Sequence, residues 1–243
     1  MTAEALARTV RRQLRLGRLL PLGEARDGAW ITEYAAVAVL RAALAPAASG
    51  AARLDGLRVL PENDDVPDAV VPGPPSALPH GPLRIEAGFA ALAGRPLPAL
   101  AEQLRAALLA AADTRLGLPV RTADLHVTAL LDTPPGPASP EAPDSPEEDA
   151  PEDAAGPLLR AVRAVPGVTR VAPVLGGPLS GDGVHVREGG EGVLVQCAVS
   201  ASRRALDVAR AVREAAGAAH PGGGPVAVLV TACDDEGARP AGS

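Results

Sequence analysis

The sequence predicts an α/β (α+β) fold made of two similar small modules. Each module is a short mixed sheet with helices packed on one face, and each contains a βαβ unit. Three observations point there. The 243 residues are enough for two domains of about 100–120 residues each. Each half alternates apolar strand patterns with one long amphipathic helix. Between the halves lies TPPGPASPEAPDSPEEDAPEDAAGP, which is Pro-rich, acidic and without large apolar residues, and which reads as a disordered linker over 132–156. The organisation expected is therefore an N-terminal helix over 1–21, a first module over 22–131, the linker, a second module over 157–233 and a disordered tail over 234–243.

The elements follow in order. Glu4–Leu16 reads as a helix, with Leu6, Val10 and Leu14 recurring on one side and Arg8, Arg11, Arg12 and Arg15 on the other. Thr32 is placed to cap a second helix at the free amides of Tyr34 or Ala35, running to Pro46. Leu57–Leu60 is a short strand, and the segment 61–82, with seven prolines, is a long loop. Leu83–Ala90 is a strand with Leu83, Ile85, Ala87 and Phe89 on one face. Leu97–Leu116 is a helix with a Leu100, Leu104, Leu108 and Ala112 stripe, stopped by Gly117 and Pro119. Val120–Leu131 closes the half as a strand.

The second half reads as a helix over Pro157–Val165, then strands over Val168–Val174, Gly183–Arg187 and Val193–Ser200. A helix follows over Arg203–Ala216, capped by Ser202 and carrying a Leu206, Ala209 and Val212 stripe. The nearly all-apolar PVAVLVTAC at 225–233 is a last strand, central in its sheet or covered on both faces. The two halves thus agree in order: helix, strand, strand, long helix, strand. A flexible tether of the linker's length leaves its ends on the order of 25–30 Å apart. It cannot fix how the halves sit, so any association must come from their own surfaces.

Composition excludes several chemistries. All 23 basic residues are Arg, and without lysine there is neither a Schiff base nor a P-loop. Three aromatics, Trp30, Tyr34 and Phe89, are too few for a stacking groove. The net charge is −6. Removing the eight acids of Asp132–Leu159 leaves the remainder at +2, which gives no electrostatic case for nucleic-acid binding. No apolar run reaches the roughly 20 residues that span a bilayer, and the Arg-studded N-terminus makes a poor secretory signal. Two cysteines do not form a disulfide framework, so a reduced cytoplasm is the expected setting.

No motif carries a reaction. The four histidines, 80, 126, 185 and 220, show no metal-ligand spacing. Cys197 and Cys233 read as buried thiols on neighbouring strands, or as a redox pair if their Cβ atoms come close. GGPLSGDG and HPGGGP lack the strand–glycine–helix order of a phosphate cradle. No catalytic, cofactor or metal residue is therefore expected. The candidate interaction residues are Arg8, Arg11, Arg12, Arg15, Arg26, Asp27, Trp30 and Tyr34. The Arg-bearing N-terminal helix either packs on its own domain or meets anionic lipid or an acidic partner. Trp30 either pins the entry to the second helix or joins Arg26, Asp27 and Tyr34 in an interaction patch.

Three strings carry a resemblance. AVRAVPGVTRVAPV, VHVREGGEGVLVQCAV and the terminal VAVLVTA resemble the alkaline-shock (envelope-stress) proteins of Gram-positive bacteria, and so does GLPVRTADLHVTAL in the first half. The resemblance covers roughly 32–131 and 155–233, as two divergent tandem copies. The first half departs from it, with GAARLDGLRVL in place of the family's "GV" turn and with the 61–82 insertion. The whole chain also resembles a group of actinomycete proteins labelled after a nucleopolyhedrovirus fibrous-body (P-ten type) family, a label that implies no mechanism. The alkaline-shock resemblance implies a non-enzymatic cytoplasmic scaffold at the envelope periphery, which self-associates or binds a membrane-anchored partner. The alternative expectation is a small-molecule-binding or enzymatic α/β protein with its site between the modules, where Arg26, Asp27, Asp124, His126 and His185 would have to gather.

Overall fold

The computed structural model describes residues 17–48, 50–63, 70–135, 156–171, 183–186, 192–220 and 222–235. The N-terminal helix expected over Glu4–Leu16, with Arg8, Arg11, Arg12 and Arg15, lies outside them, as do the linker and most of the tail.

The fold is α/β with two sheets and four helices. The strands are β1 (Leu19–Leu22), β2 (Ala29–Thr32), β3 (Ala52–Pro61), β4 (Leu83–Leu92), β5 (Val120–Leu131), β6 (Val168–Val171), β7 (Val184–Val186), β8 (Val193–Ser200) and β9 (Val226–Asp234). The helices are α1 (Glu33–Ala48), α2 (Leu97–Ala111), α3 (Pro157–Arg163) and α4 (Ala205–Ala219), with a π turn over Ala112–Leu116 after α2. Sheet A has the order β1-β2-β9-β8-β6, with β7 also on β8, and sheet B has the order β3-β4-β5.

The order shared by the halves has a counterpart in pairing. β4 and β5 are parallel and joined by α2, with β3 antiparallel on β4. Likewise β8 and β9 are parallel and joined by α4, with β6 antiparallel on β8. The sheets, however, do not divide at the linker as two modules would. β1 and β2, from the first half, form an antiparallel pair that adds to β9, with Ala29, Trp30 and Ile31 beside Val228, Leu229 and Val230 in parallel register. One apolar core runs through both halves, from Leu20 and Ile31 through Phe89 and Leu108 to Leu206 and Val228. Helix α1 touches both sheets.

Most local expectations follow their residues. The Thr32 hydroxyl accepts from the Ala35 amide at 3.2 Å and starts α1. Pro46 stands inside the last turn of α1 instead of ending it. Leu83, Ile85, Ala87 and Phe89 are all buried, and so are Leu100, Leu104, Leu108 and Ala112. Ser202 does not cap α4: its amide and hydroxyl bond the Ser200 hydroxyl, and α4 starts at Arg204 without a side-chain cap. β1 and β2 were not expected as strands. Each is four residues long and buried throughout, so neither shows the alternation that marks a half-buried strand.

The proline-rich loop is a cover. Its described part, 70–82, lies across the outer face of sheet A, where Val71 and Ala77 pack on Leu19, Trp30, Leu194, Ala227 and Leu229. The Leu78 amide donates to the Leu19 carbonyl at 2.9 Å, and Trp30 Nε1 donates to the Leu78 carbonyl at 3.0 Å. Trp30 thus holds this strap against the sheet. Covered by helices on one side and by the strap on the other, β9 is an almost unbroken apolar run.

Two glycines of the first half make room for Leu206 of the second. The Gly23 amide donates to the Gly117 carbonyl at 2.9 Å. Gly117 has φ +82, and a Cβ there would sit 2.5 Å from the Leu206 Cβ on α4. Gly94 has φ +83 with open space around it. Gly117→Ala is therefore expected to lower unfolding free energy by more than Gly94→Ala, which carries the backbone strain alone, about 1–3 kcal/mol. Urea unfolding of the two variants measures the difference, and equal losses would remove the close contact.

Candidate functional site

The richest polar constellation surrounds the β1–β2 turn. Asp27 is 6% exposed, and both of its oxygens are engaged. Oδ1 accepts from Arg210 Nε at 2.9 Å, while Oδ2 accepts from Arg210 Nη2 at 3.0 Å and from the Glu24 amide at 2.8 Å. This is a bidentate guanidinium–carboxylate fork, and it ties the turn to α4. One helical turn on, Arg213 Nη1 donates to the Arg26 carbonyl at 2.6 Å. Burial alone would raise the Asp27 pKa, but the bonds from Arg210 and the Glu24 amide outweigh it, so the carboxyl is held below its ordinary range.

His80, at the end of the strap, is 6% exposed. Its ring meets Trp30 edge-on with centroids 4.7 Å apart. Its Nε2 has no hydrogen-bond partner among the described residues. Burial lowers its pKa, against the opposing pull of the Ala29 carbonyl, the Asp27 charge and the Leu22 carbonyl. A cleft of about 210 Å³ lies here, lined by Gly23, Glu24, Ala25, His80, Gly81 and Pro119. A second, of about 290 Å³, runs along α4 past Arg210, Arg213, Glu214 and Gly217 to Gly224, Pro225 and Val226. Each is lined by residues of one half only, so neither is the inter-module site of the alternative expectation.

The expected interaction residues do not form one surface. Arg26 is exposed and pairs with Glu24 at 3.0 Å. Asp27 is held by Arg210. Trp30 is 2% exposed beneath the strap, and Tyr34, on α1, is 45% exposed. Asp124 and His126 project from β5 on the outer face of sheet B, away from the β1–β2 turn. Asp124 comes within 3.9 Å of Arg84, and the His126 ring lies where a Gly88 Cβ would be. His185 falls on β7.

Arg210 and His80 are the residues sequence reasoning missed. The first lies off the Leu206, Ala209 and Val212 stripe of α4, and the second sits in a loop without periodicity. Arg18 was not among the candidates either. It bonds Glu33 at 2.9 Å and the Val59 carbonyl at 2.6 Å, and the Val59 amide donates to the same Glu33 at 3.5 Å. This pair closes the edge of β3. Burial would raise the Glu33 pKa, but Arg18 and the Val59 amide keep it low.

Cys197 and Cys233 are free. Across the strands Cys197 faces Val230 and Cys233 faces Val199, so the thiols are staggered and not opposed. Burial pushes both up to about 12, where almost no thiolate exists near neutrality. Among the described residues no group of three or more His, Cys, Asp or Glu could hold a metal ion.

Comparison with known protein families, with curated proteins and with solved structures finds no match to this chain.

The pH dependence of stability follows from these environments. A histidine kept neutral by burial adds stability above its unfolded pKa, so the His80 contribution falls as pH drops below about 6.5. Asp27 and Glu33, with lowered pKa values, add stability above about 4 and lose it as pH falls further. The urea midpoint should therefore decline in two stages, with His80→Phe removing the first and Asp27→Asn weakening the second. Arg210→Met leaves the buried Asp27 charge without its fork. The expected cost at pH 7 is about 2–3 kcal/mol, below that of a fully buried pair because Arg210 is half-exposed. A loss below about 0.5 kcal/mol would show that the fork contributes no more than a surface pair.

Native-state labelling by a thiol reagent is expected to be slow at the buried Cys197 and fast there in urea, with Cys233 only half-buried. Rapid labelling of Cys197 in the folded chain would contradict its burial.

Proposed function

We propose that the chain is a non-enzymatic cytoplasmic assembly protein of the cell-envelope periphery, in keeping with its resemblance to tandem alkaline-shock modules. The observation that carries this reading is the outer strand of sheet B. β5 is twelve residues long and pairs with β4 on one side, and among the described residues no strand pairs with its other side. At the corresponding place in sheet A, β9 takes up β2 in parallel. A fold that completes one sheet by strand addition and leaves the matching edge of the other open is suited to joining further strands. Supporting the same reading, the chemically capable side chains around the β1–β2 turn are engaged in holding the fold. No helix among the described residues is long and apolar enough to cross a membrane.

Fractionation of cells carrying the full chain, or the chain without residues 1–16, tests this. That cut stops short of Arg18 and β1. The full chain is expected partly in the membrane fraction and in particles larger than a monomer, with membrane recovery reduced by the truncation. A chain wholly soluble and monomeric in both forms would overturn the reading.

A second reading, a small-molecule site, is favoured by the 210 Å³ cleft that His80 helps to line and by the buried, unpartnered Nε2 of the same ring. A metabolite that raises the melting temperature of the chain but not of His80→Phe would support it, and flat curves across a panel would weigh against it.

A further inference from the structure

We propose that a second copy of this chain occupies the open edge, the two β5 strands pairing antiparallel about Leu125 to fuse two sheets B into one six-stranded sheet. The inference rests on the assembly reading and names its partner.

The strand is self-complementary in this register. Antiparallel neighbours point to the same face, so Asp124 stands opposite His126 of the second copy, and His126 opposite its Asp124. Both side chains project from the exposed face of sheet B, and both are solvent-exposed. Thr122 faces Thr128, and Leu125 faces Leu125 across the two-fold axis. On the core-side face Ala123 stands opposite Val127, and Val120 opposite Leu130 further along. Val127 and Leu130 are 42% and 61% exposed, two of the few large apolar side chains left in water among the described residues. Self-pairing covers both. A two-fold contact needs such self-complementarity, since each residue must suit its own mirror position.

The edges of the molecule differ in how they are closed. The β1 edge takes the Leu78 amide of the strap, and the β3 edge is closed at Val59 by Arg18 and Glu33. On β5 a single device operates: Arg105 of α2 donates from Nε to the Ala123 carbonyl at 2.9 Å. That oxygen keeps a second lone pair for the Val127 amide of the other copy. Beyond Ala123 the strand runs on through Leu125, Val127 and Leu130, where among the described residues no side chain bonds the edge in this way. A long, half-apolar edge with most of its length unguarded is where strands pair between chains.

Sedimentation of the full chain with Asp124→Arg, His126→Asp, Val127→Arg and the double exchange D124R/H126D tests both the edge and the register. All three positions are exposed, and unchanged melting temperatures establish that each variant folds. The wild type is expected to dimerise. His126→Asp, which sets two pairs of acids face to face, should weaken self-association about tenfold, as should Asp124→Arg. Val127→Arg should weaken it similarly, and the double exchange should return it to near the wild-type value. If one single variant melts early, the other two carry the reading. A wild type that stays monomeric at about 100 μM overturns the proposal. So does a dimer indifferent to all three substitutions, and so does a double exchange that restores nothing. A monomer would leave membrane recovery in the fractionation experiment standing, so failure of this inference and failure of the assembly reading are distinguishable.

Discussion

The fold depends on the parallel pairing of β2 with β9. Three residues of each strand stand in register, and the Val228 amide donates to the Gly28 carbonyl at 2.9 Å. At one end Arg210 grips Asp27, and at the other the Thr32 hydroxyl donates to the Thr231 carbonyl at 3.1 Å. Without that pairing β9 would be an apolar edge, Trp30 would have no sheet to lie on, and the strap would lose its anchor. A three-residue ladder is weak by itself. It holds because the same residues bury their side chains on both faces, inward against the helices and outward beneath the strap.

This explains why the chain forms one core although its sequence reads as two units. Orientation comes from Gly23, Gly117 and Leu206, packed too closely for any added Cβ, and from Arg204 of the second half bonding Asp113 of the first at 2.9 Å. The repeated strand–strand–helix–strand pattern survives inside each sheet. The asymmetry between the sheets lies in what each β9-like strand has on its far side.

The strands and helices with long, regular patterns were legible in the sequence. β5 and β8 have the boundaries their residues suggest, and the Thr32 cap and the Leu100–Leu104–Leu108 stripe follow directly from spacing. β1 and β2 were not legible, because a four-residue strand buried on both faces has no period to detect. The strap was recognised as irregular, but nothing in PENDDVPDAVVPGPPSALPHGP says which surface it will cover. That depends on Trp30, Leu194 and Leu229, which are far from it in the chain. The Asp27–Arg210 fork spans 183 residues, and local periodicity carries no information at that distance. The glycine at 117 was read correctly as a helix stop, while its second role, making room for Leu206, required the packed structure.

Sheet A draws the two strands of one side from Leu19–Thr32 and its centre from Val193–Asp234. A ribosome releases the first of these long before the second, so the early hairpin must wait for β9, apolar on both faces, through the synthesis of about 195 residues. Sheet B closes within Ala52–Leu131 and can form during that interval, with α1 already at hand. Closure of so distant a pairing is entropically slow, and during the delay Leu20, Leu22, Trp30 and Ile31 are exposed to whatever binds nascent chains. The order of synthesis thus makes the N-terminal hairpin the natural client of a chaperone.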